Sequence, residues 1–155
     1  MIKYIRGDAT SPVGTGNKII VHVCNDIGAW GSGFVAALSK KWKAPEKNYR
    51  EWFTNSHNFD LGEVQFVQVT SNIWVANMIA QKGVRIDFSG NPPVRYSAIK
   101  KGLSQVSKYA KQINATVHMP RIGCGLGGGS WNQVETLIKE EICDVDIQSF
   151  VYDFD

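Results

Sequence analysis

The sequence predicts an α/β sandwich built around a mixed sheet. Strand-like and helix-like stretches interleave along the whole chain, the pattern of helices packed on a sheet. One strand-like stretch, residues 18–24 (KIIVHVC), is strongly apolar, as in a strand covered on both faces. The chain has 155 residues and shows no repeat, linker or low-complexity segment, so residues 1–155 read as a single domain.

Residues 2–5 (IKYI) form a short first strand, and 18–24 the buried second one. Phe34, Ala37, Leu38 and Trp42 then recur at helical spacing, with Ser32 placed to cap that helix. Tyr49, Trp52 and Phe53 mark a second helix, with Pro45 near its first turn. Residues 63–69 (EVQFVQV) alternate as a half-buried strand does. Residues 73–80 (IWVANMIA) make the next strand, joined to it by a hairpin turn at 70–72. Pro92 and Pro93 are expected to start a longer helix striped by Ile99, Leu103, Val106 and Ala110. Residues 116–122 (TVHMPRI) form a strand that runs into GCGLGGG. Ser130 and Gln133 suggest a capping box for a helix reaching about Cys143. Residues 147–154 (IQSFVYDF) close the chain as a strand.

Composition narrows the function classes. The apolar share is 43%, ordinary for a globular chain, and no apolar run approaches the roughly 18 residues of a membrane span. The start, MIKYIRGDAT, lacks the apolar core of a secretory signal. Three cysteines without a CxxC pair argue against a disulfide framework or a structural zinc site. A cytoplasmic monomer without metal or cofactor is expected. Net charge is +3, mild for a nucleic-acid partner and suited to an anionic small ligand.

Two glycine-rich turns point to that ligand. A strand, a glycine turn and a helix together present free N–H groups and a partial positive charge to an anion. Residues 120–131 (PRIGCGLGGGSW) have this order, and so do residues 25–38 (NDIGAWGSGFVAAL). Two such turns at strand ends facing one crevice suit a diphosphate. Gly123, Gly125 and Gly128 also match G-x-G-x-x-G, but this pattern normally opens a dinucleotide domain, and here one helix and one strand remain after it. An oxidoreductase reading is therefore distant. Asp8, just after the first strand, either accepts from an exocyclic amine or hydroxyl or simply closes an Asx-turn.

These segments resemble the macro domain, an ADP-ribose-binding family. GDAT (7–10), IIVHVCN (19–25), GAWGSGFVAAL (28–38) and MPRIGCGLGGGSW (119–131) follow in the family's order and cover essentially the whole chain. The closest resemblance is to the branch holding the terminal ADP-ribose protein glycohydrolase and the ADP-ribose-1″-phosphate phosphatase. The resemblance implies a three-layer α/β/α sandwich with a central mixed sheet. It implies that Asp8, with Ala9 beside it, holds the adenine amino group. Gly31, Ser32 and Gly33 would meet one phosphate. Gly123, Cys124, Gly125, Leu126 and Gly127 would cradle the diphosphate and the distal ribose, which Asn25 would face. Tyr152 and Phe154 would flank the adenine. ADP-ribose, a derivative of it, or an ADP-ribosylated protein would be the partner.

Catalysis is the open point. The glycohydrolase branch uses a lysine where this chain has Gln81, beside Lys82, and an aspartate where it has Gly127. Glutamine forms no Schiff base and glycine transfers no proton. His22, two residues before Cys24, is the remaining acid–base candidate near neutral pH, against the alternative of a buried core histidine. Cys24 and Cys124 read as small packing residues rather than nucleophiles, and Trp30 as the one tryptophan at the pocket rim. His57 and His118 show no partner by spacing. Two readings result: an enzyme releasing phosphate or an ester from an ADP-ribose derivative through His22 and Asn25, and a non-catalytic ADP-ribose reader.

Overall fold

The computed structural model describes residues 1–154. The first strands are β1 (Ile2–Arg6) and β2 (Asn17–Asn25), followed by helices α1 (Phe34–Lys41) and α2 (Ala44–Asn55). Next come β3 (Val64–Gln68), β4 (Ile73–Gln81), α3 (Tyr96–Ile113), β5 (Ala115–Met119), α4 (Trp131–Glu141) and β6 (Ser149–Asp153). One sheet holds all six strands in the order β1-β6-β5-β2-β4-β3. Every neighbouring pair is parallel except β3 on β4, the hairpin. The sheet is mixed, as the alternation of strands and helices predicts.

The two faces of β2 show the layers, because successive side chains point to opposite sides. Ile20 packs with Val75 and with Leu38 of α1. Ile19 and Val21 join Ile99, Leu103 and Val106 of α3 and Val134 and Ile138 of α4. Helices therefore cover both faces, giving the α/β/α sandwich. Gly102 lets α3 approach closely, since a Cβ there would lie 2.3 Å from Met78 Sδ.

Three local expectations are corrected. Pro92 and Pro93 do not begin α3. A proline disfavours the α region for the residue before it, and Arg95, in extended conformation, precedes a helix that starts at Tyr96. Ser32 does not cap α1, whose N-cap is Gly33 at φ 79°. Ser130 does precede α4, but it makes no side-chain cap bond; its N–H donates to the Tyr96 hydroxyl at 2.8 Å.

The topology also places the crevice. The five parallel strands end at one edge of the sheet, and β2 and β5 are neighbours there. The chain leaving β2 goes to α1 on one face, while the chain leaving β5 goes to α4 on the other. That divergence is the switch point at which open α/β sheets bind ligands. No described helix is long and apolar enough to cross a membrane.

Two histidines are buried in this sandwich. His22 is 2% exposed and His118 0%. Burial pulls the His22 pKa down to about 4, with the Asn77 hydrogen bond opposing. Burial, helped by the Lys18 charge, pulls His118 to about 4 as well. Each ring is neutral in the fold but takes up a proton near pH 6.5 once unfolded. Stability is thus full above pH 6.5 and falls as pH drops from there towards 4. Between pH 6.5 and 5, above most carboxylate titrations, denaturant titrations should lose on the order of 2 kcal/mol per ring. A constant or rising stability across that window would contradict the neutral, buried state of both rings.

Candidate functional site

Two glycine-rich loops form the walls of the crevice. A cavity of about 550 Å³ lies between the loop after β2 and the loop after β5, a size that suits a small-molecule ligand. Gly31, Ser32 and Gly33 line it, and so do Gly123, Cys124, Gly125, Leu126 and Gly127. None of these residues donates its N–H to another described residue. Phe34 and Val35, the first two residues of α1, also line the cavity, and no side chain caps that helix end. Orphan N–H groups at a helix N-terminus carry a partial positive charge, so the site is built to take an anion.

The second glycine loop answers its own composition. Gly129 N–H donates to Gly123 O at 2.8 Å, and Gly128 N–H to Gly125 O at 3.1 Å. A Cβ at Gly129 would lie 2.5 Å from Gly123 O, and one at Gly127 2.8 Å from it. A Cβ at Gly125 would meet nothing within 4 Å. Gly127 and Gly129 let the loop fold on itself, Gly123 and Gly128 let it close against Val94 and Pro92, and Gly125 leaves the cavity open. The lining stops at Gly127, so Gly128 to Ser130 separate this loop from α4. The strand–glycine–helix geometry expected of both turns is met by α1 alone. Gly128, at φ 73°, lies against Pro92, which removes the basis for the G-x-G-x-x-G reading.

Asn25 staples the first loop. Its Oδ1 accepts from Ile27 N and Ala29 N, each at 3.0 Å, and from Tyr49 Oη at 2.9 Å. Its Nδ2 donates to Ala29 O at 2.7 Å. Asp26, which sequence reasoning passed over, ties the same loop to the end of β4: Gly83 N–H donates to its Oδ1 at 2.7 Å. An Asn-Asp pair at a strand end is an Asx-turn signal that marks both residues in hindsight.

His22 lines the cavity beneath this loop, its ring centroid 5.4 Å from that of Trp30, which also lines it. Asn77 Nδ2 donates to Pro45 O at 3.1 Å and to Gln65 Oε1 at 3.0 Å. Both bonds orient the amide, leaving Oδ1 as acceptor for His22 Nε2–H at 2.5 Å. The tautomer is thereby set, and His22 Nδ1 is a buried acceptor with no partner. Burial raises the thiol pKa of both Cys24 and Cys124, as in packing rather than nucleophilic cysteines.

The remaining residues divide. Gln81 lines the cavity and Lys82 does not, as expected for successive residues at a strand end. Asp8 and Ala9 follow β1, Tyr152 is the last residue but one of β6 and Phe154 follows that strand, all at the same sheet edge, but none of the four lines this cavity. Asp8 Oδ1 accepts from Thr10 N and Thr10 Oγ1, each at 2.8 Å, so it does close an Asx-turn. Ala9 is buried at 3% exposure, whereas Phe154 is 79% exposed. β6 ends at Asp153, so Phe154 lies outside the strand it was expected to share with Tyr152. Sequence reasoning also missed Arg121. It lines the cavity, pairs bidentately with Asp153 at 2.6 and 3.1 Å, and lies over the Tyr4 and Trp131 rings.

No protein-family model matches the chain. A protein of unknown function from Bacteroides thetaiotaomicron is 54% identical, with a TM-score of 0.98 over 99% of this chain and 98% of that one. A macrodomain protein from Streptomyces coelicolor is 48% identical, with a TM-score of 0.89 over 99% of both chains. The chromodomain-helicase-DNA-binding protein 1-like of Danio rerio is 32% identical over 161 residues, 97% of this chain, but the chain spans only 15% of that protein. An ADP-ribose 1″-phosphate phosphatase of Lodderomyces elongisporus is 28% identical over 98% of this chain and 99% of its own length.

The two kinds of glycine separate in a stability measurement. Gly129→Ala should cost about 1–3 kcal/mol, as forced overpacking does, and lower the thermal midpoint. Gly125→Ala should leave the midpoint within a degree or two. The reverse order would show that Gly125, not Gly129, serves the fold.

Proposed function

This chain belongs to the macrodomain family, and we propose that it binds ADP-ribose and processes a derivative of it, releasing phosphate or an ester group from the distal ribose. The observation that carries the proposal is the set of unbonded N–H groups on both walls of one cavity, with the open end of α1 continuing the first wall. Two such walls suit the two phosphates of a diphosphate. The activity for which the Lodderomyces relative is named, in a protein matched over nearly its whole length, supports the ligand class. In this reading Gly31–Gly33 take one phosphate, and Gly123–Gly127 take the other together with the distal ribose. Asp8 meets the adenine amino group through the carboxylate that already holds Thr10. Tyr152 and Phe154 lie at that adenine end.

For the chemical step, Asn25 shapes the wall that the distal ribose meets. His22 accepts, through Nδ1, a hydrogen bond or proton from a ribose hydroxyl or the attacking water. Hydrolysis joins the water oxygen to the departing phosphorus or acyl carbon, the bond to the ribose oxygen breaks, and that oxygen takes up the proton the water gave to His22 Nδ1. At rest a ring with a pKa of about 4 is neutral at pH 7, so Nδ1 is bare for the first of these transfers. The second reading, a non-catalytic reader, is favoured by Gln81 and Gly127, neither of which moves a proton.

Calorimetry should find one site for ADP-ribose, weakened about tenfold to a hundredfold by Asp8→Ala, the worth of one charge-assisted hydrogen bond. Gly125→Val should remove binding from a protein that still folds. The discriminating assay incubates the protein with ADP-ribose-1″-phosphate, O-acetyl-ADP-ribose and ADP-ribosylated protein and measures free ADP-ribose. The enzyme reading predicts release from at least one of them, reduced about 10²–10⁴-fold by His22→Ala. Since His22 stays neutral down to about pH 4, that turnover should show no limb near pH 6.5. Tight binding without any release decides for the reader.

A further inference from the structure

Residues 7–16 have no regular secondary structure, yet they carry Asp8. Beyond the turn that Asp8 and Thr10 close, bonds from outside hold this segment. Gly7 N–H donates to Asp153 O at 2.9 Å. Lys41 Nζ donates to Thr10 O at 2.8 Å. Val13 N–H donates to Tyr152 Oη at 2.9 Å. The Tyr152 ring also lies 3.8 Å from where a Cβ on Gly7 would stand. One side chain, 3% exposed, therefore touches the segment on both sides of Asp8.

Tyr152 is in turn held from behind. His118 Nδ1 lies 2.8 Å from Tyr152 Oη, and His118 Nε2 lies 2.7 Å from Thr116 Oγ1. Thr116 Oγ1 donates to Asn17 O at 3.4 Å. The His118 ring is fully buried and stacks on Phe150 at 4.7 Å. The direction of every bond follows from one fact: a backbone N–H only donates. Val13 N–H takes a lone pair of Tyr152 Oη, and among the described residues His118 Nδ1 is the one acceptor within reach of the tyrosine proton, so the proton goes there and Nδ1 is bare. Nε2 then carries the ring proton and gives it to Thr116, whose own proton goes to Asn17 O. A chain with a single direction fixes each member's position.

We propose that His118 is a positioning residue for the ligand, one that sets the discrimination for the base at the Asp8 end by holding Tyr152, and through it the segment that carries Asp8. The proposal rests on the reading above in which Asp8 meets the adenine amino group. No contact between His118 and the ligand is involved. Tyr152 acts to the same end, its hydroxyl holding Val13 in place while its ring packs against Gly7.

The test is a ratio of affinities. Calorimetry compares ADP-ribose with its hypoxanthine analogue, which lacks the amino group, on the native protein and three variants. The native protein should prefer ADP-ribose by about tenfold to a hundredfold, as a charge-assisted hydrogen bond provides. Tyr152→Phe, which removes one oxygen, should reduce that preference to within about threefold. His118→Gln should do the same, because its amide reaches the Nε2 position and leaves the tyrosine proton without an acceptor. His118→Asn should keep the preference, because its oxygen stands near the Nδ1 position. A purely structural role would lower both affinities together and leave the ratio untouched. An unchanged ratio in Tyr152→Phe and His118→Gln, or an equal loss in His118→Asn and His118→Gln, overturns the proposal. A native protein that binds both ligands equally removes Asp8 from the site and the proposal with it. A native protein that binds neither overturns the proposed function itself.

Discussion

The site depends on how close two stretches of backbone come at Gly123. The carbonyl of Gly123 receives the N–H of Gly129 at 2.8 Å, and neither Gly127 nor Gly129 has room for a side chain beside it. Gly127 O accepts from Val94 N–H at 3.1 Å, which locks the same loop to the segment that follows β4. Backbone carbonyls are thus consumed inward. The N–H groups of Gly123 to Gly127 are left without a described acceptor, and these residues line the cavity. A loop held by its own carbonyls needs no side chain to present donors, which is why glycine dominates it and why a single opening, at Gly125, suffices for the ligand.

The opposite wall reaches the same result by other means. There a side chain, Asn25, holds the loop through three hydrogen bonds and meets Tyr49 Oη through a fourth, and Tyr49 and Arg50 of α2 brace the loop through bonds to Asn25 O and Gly28 O. Gly28 is forced by space as well as by its φ of 75°, since a Cβ would stand 2.4 Å from the Phe53 ring. Fixed donors oriented before the ligand arrives lose little entropy on binding. In both walls the charge that meets an anion belongs to the backbone. Among the described lining residues Arg121 is the one fixed cation, and Asp153 already pairs with it. This explains how a chain of net charge +3 carries an anion site without a basic patch.

Much of this was legible in the sequence where the signal is local. The apolar run at 18–24, the hairpin at 70–72 and the stripe of α3 state their own periodicity, and the strands and helices lie where it puts them. The two glycine loops were legible as cavity walls. Prolines 92 and 93 misled, because proline suits both a helix start and an extended approach to one. Whether Ser130 would bond its helix also escaped, since the Tyr96 hydroxyl arrives from 34 residues away. The roles of Asn77, His118 and Arg121 depend on partners brought together by strand order, which no spacing along the chain encodes. His22 and Asn77 are register partners across β2 and β4, and only the fold reveals that this pairing fixes a tautomer.

The most direct test of the central claim is a titration of the ¹⁵N-labelled protein with ADP-ribose, followed amide by amide. Among the described residues a second cavity of about 480 Å³, sharing no lining residue with the first, is lined by Asn48, Glu51, Trp52 and His57 among others. If the unbonded backbone donors bind the diphosphate, the largest shifts fall on Gly31, Ser32, Gly33 and Gly123 to Gly127, while the amides of Asn48 to His57 stay in place. Shifts confined to the second cavity, or no shifts in either glycine loop at saturating ligand, would contradict the account.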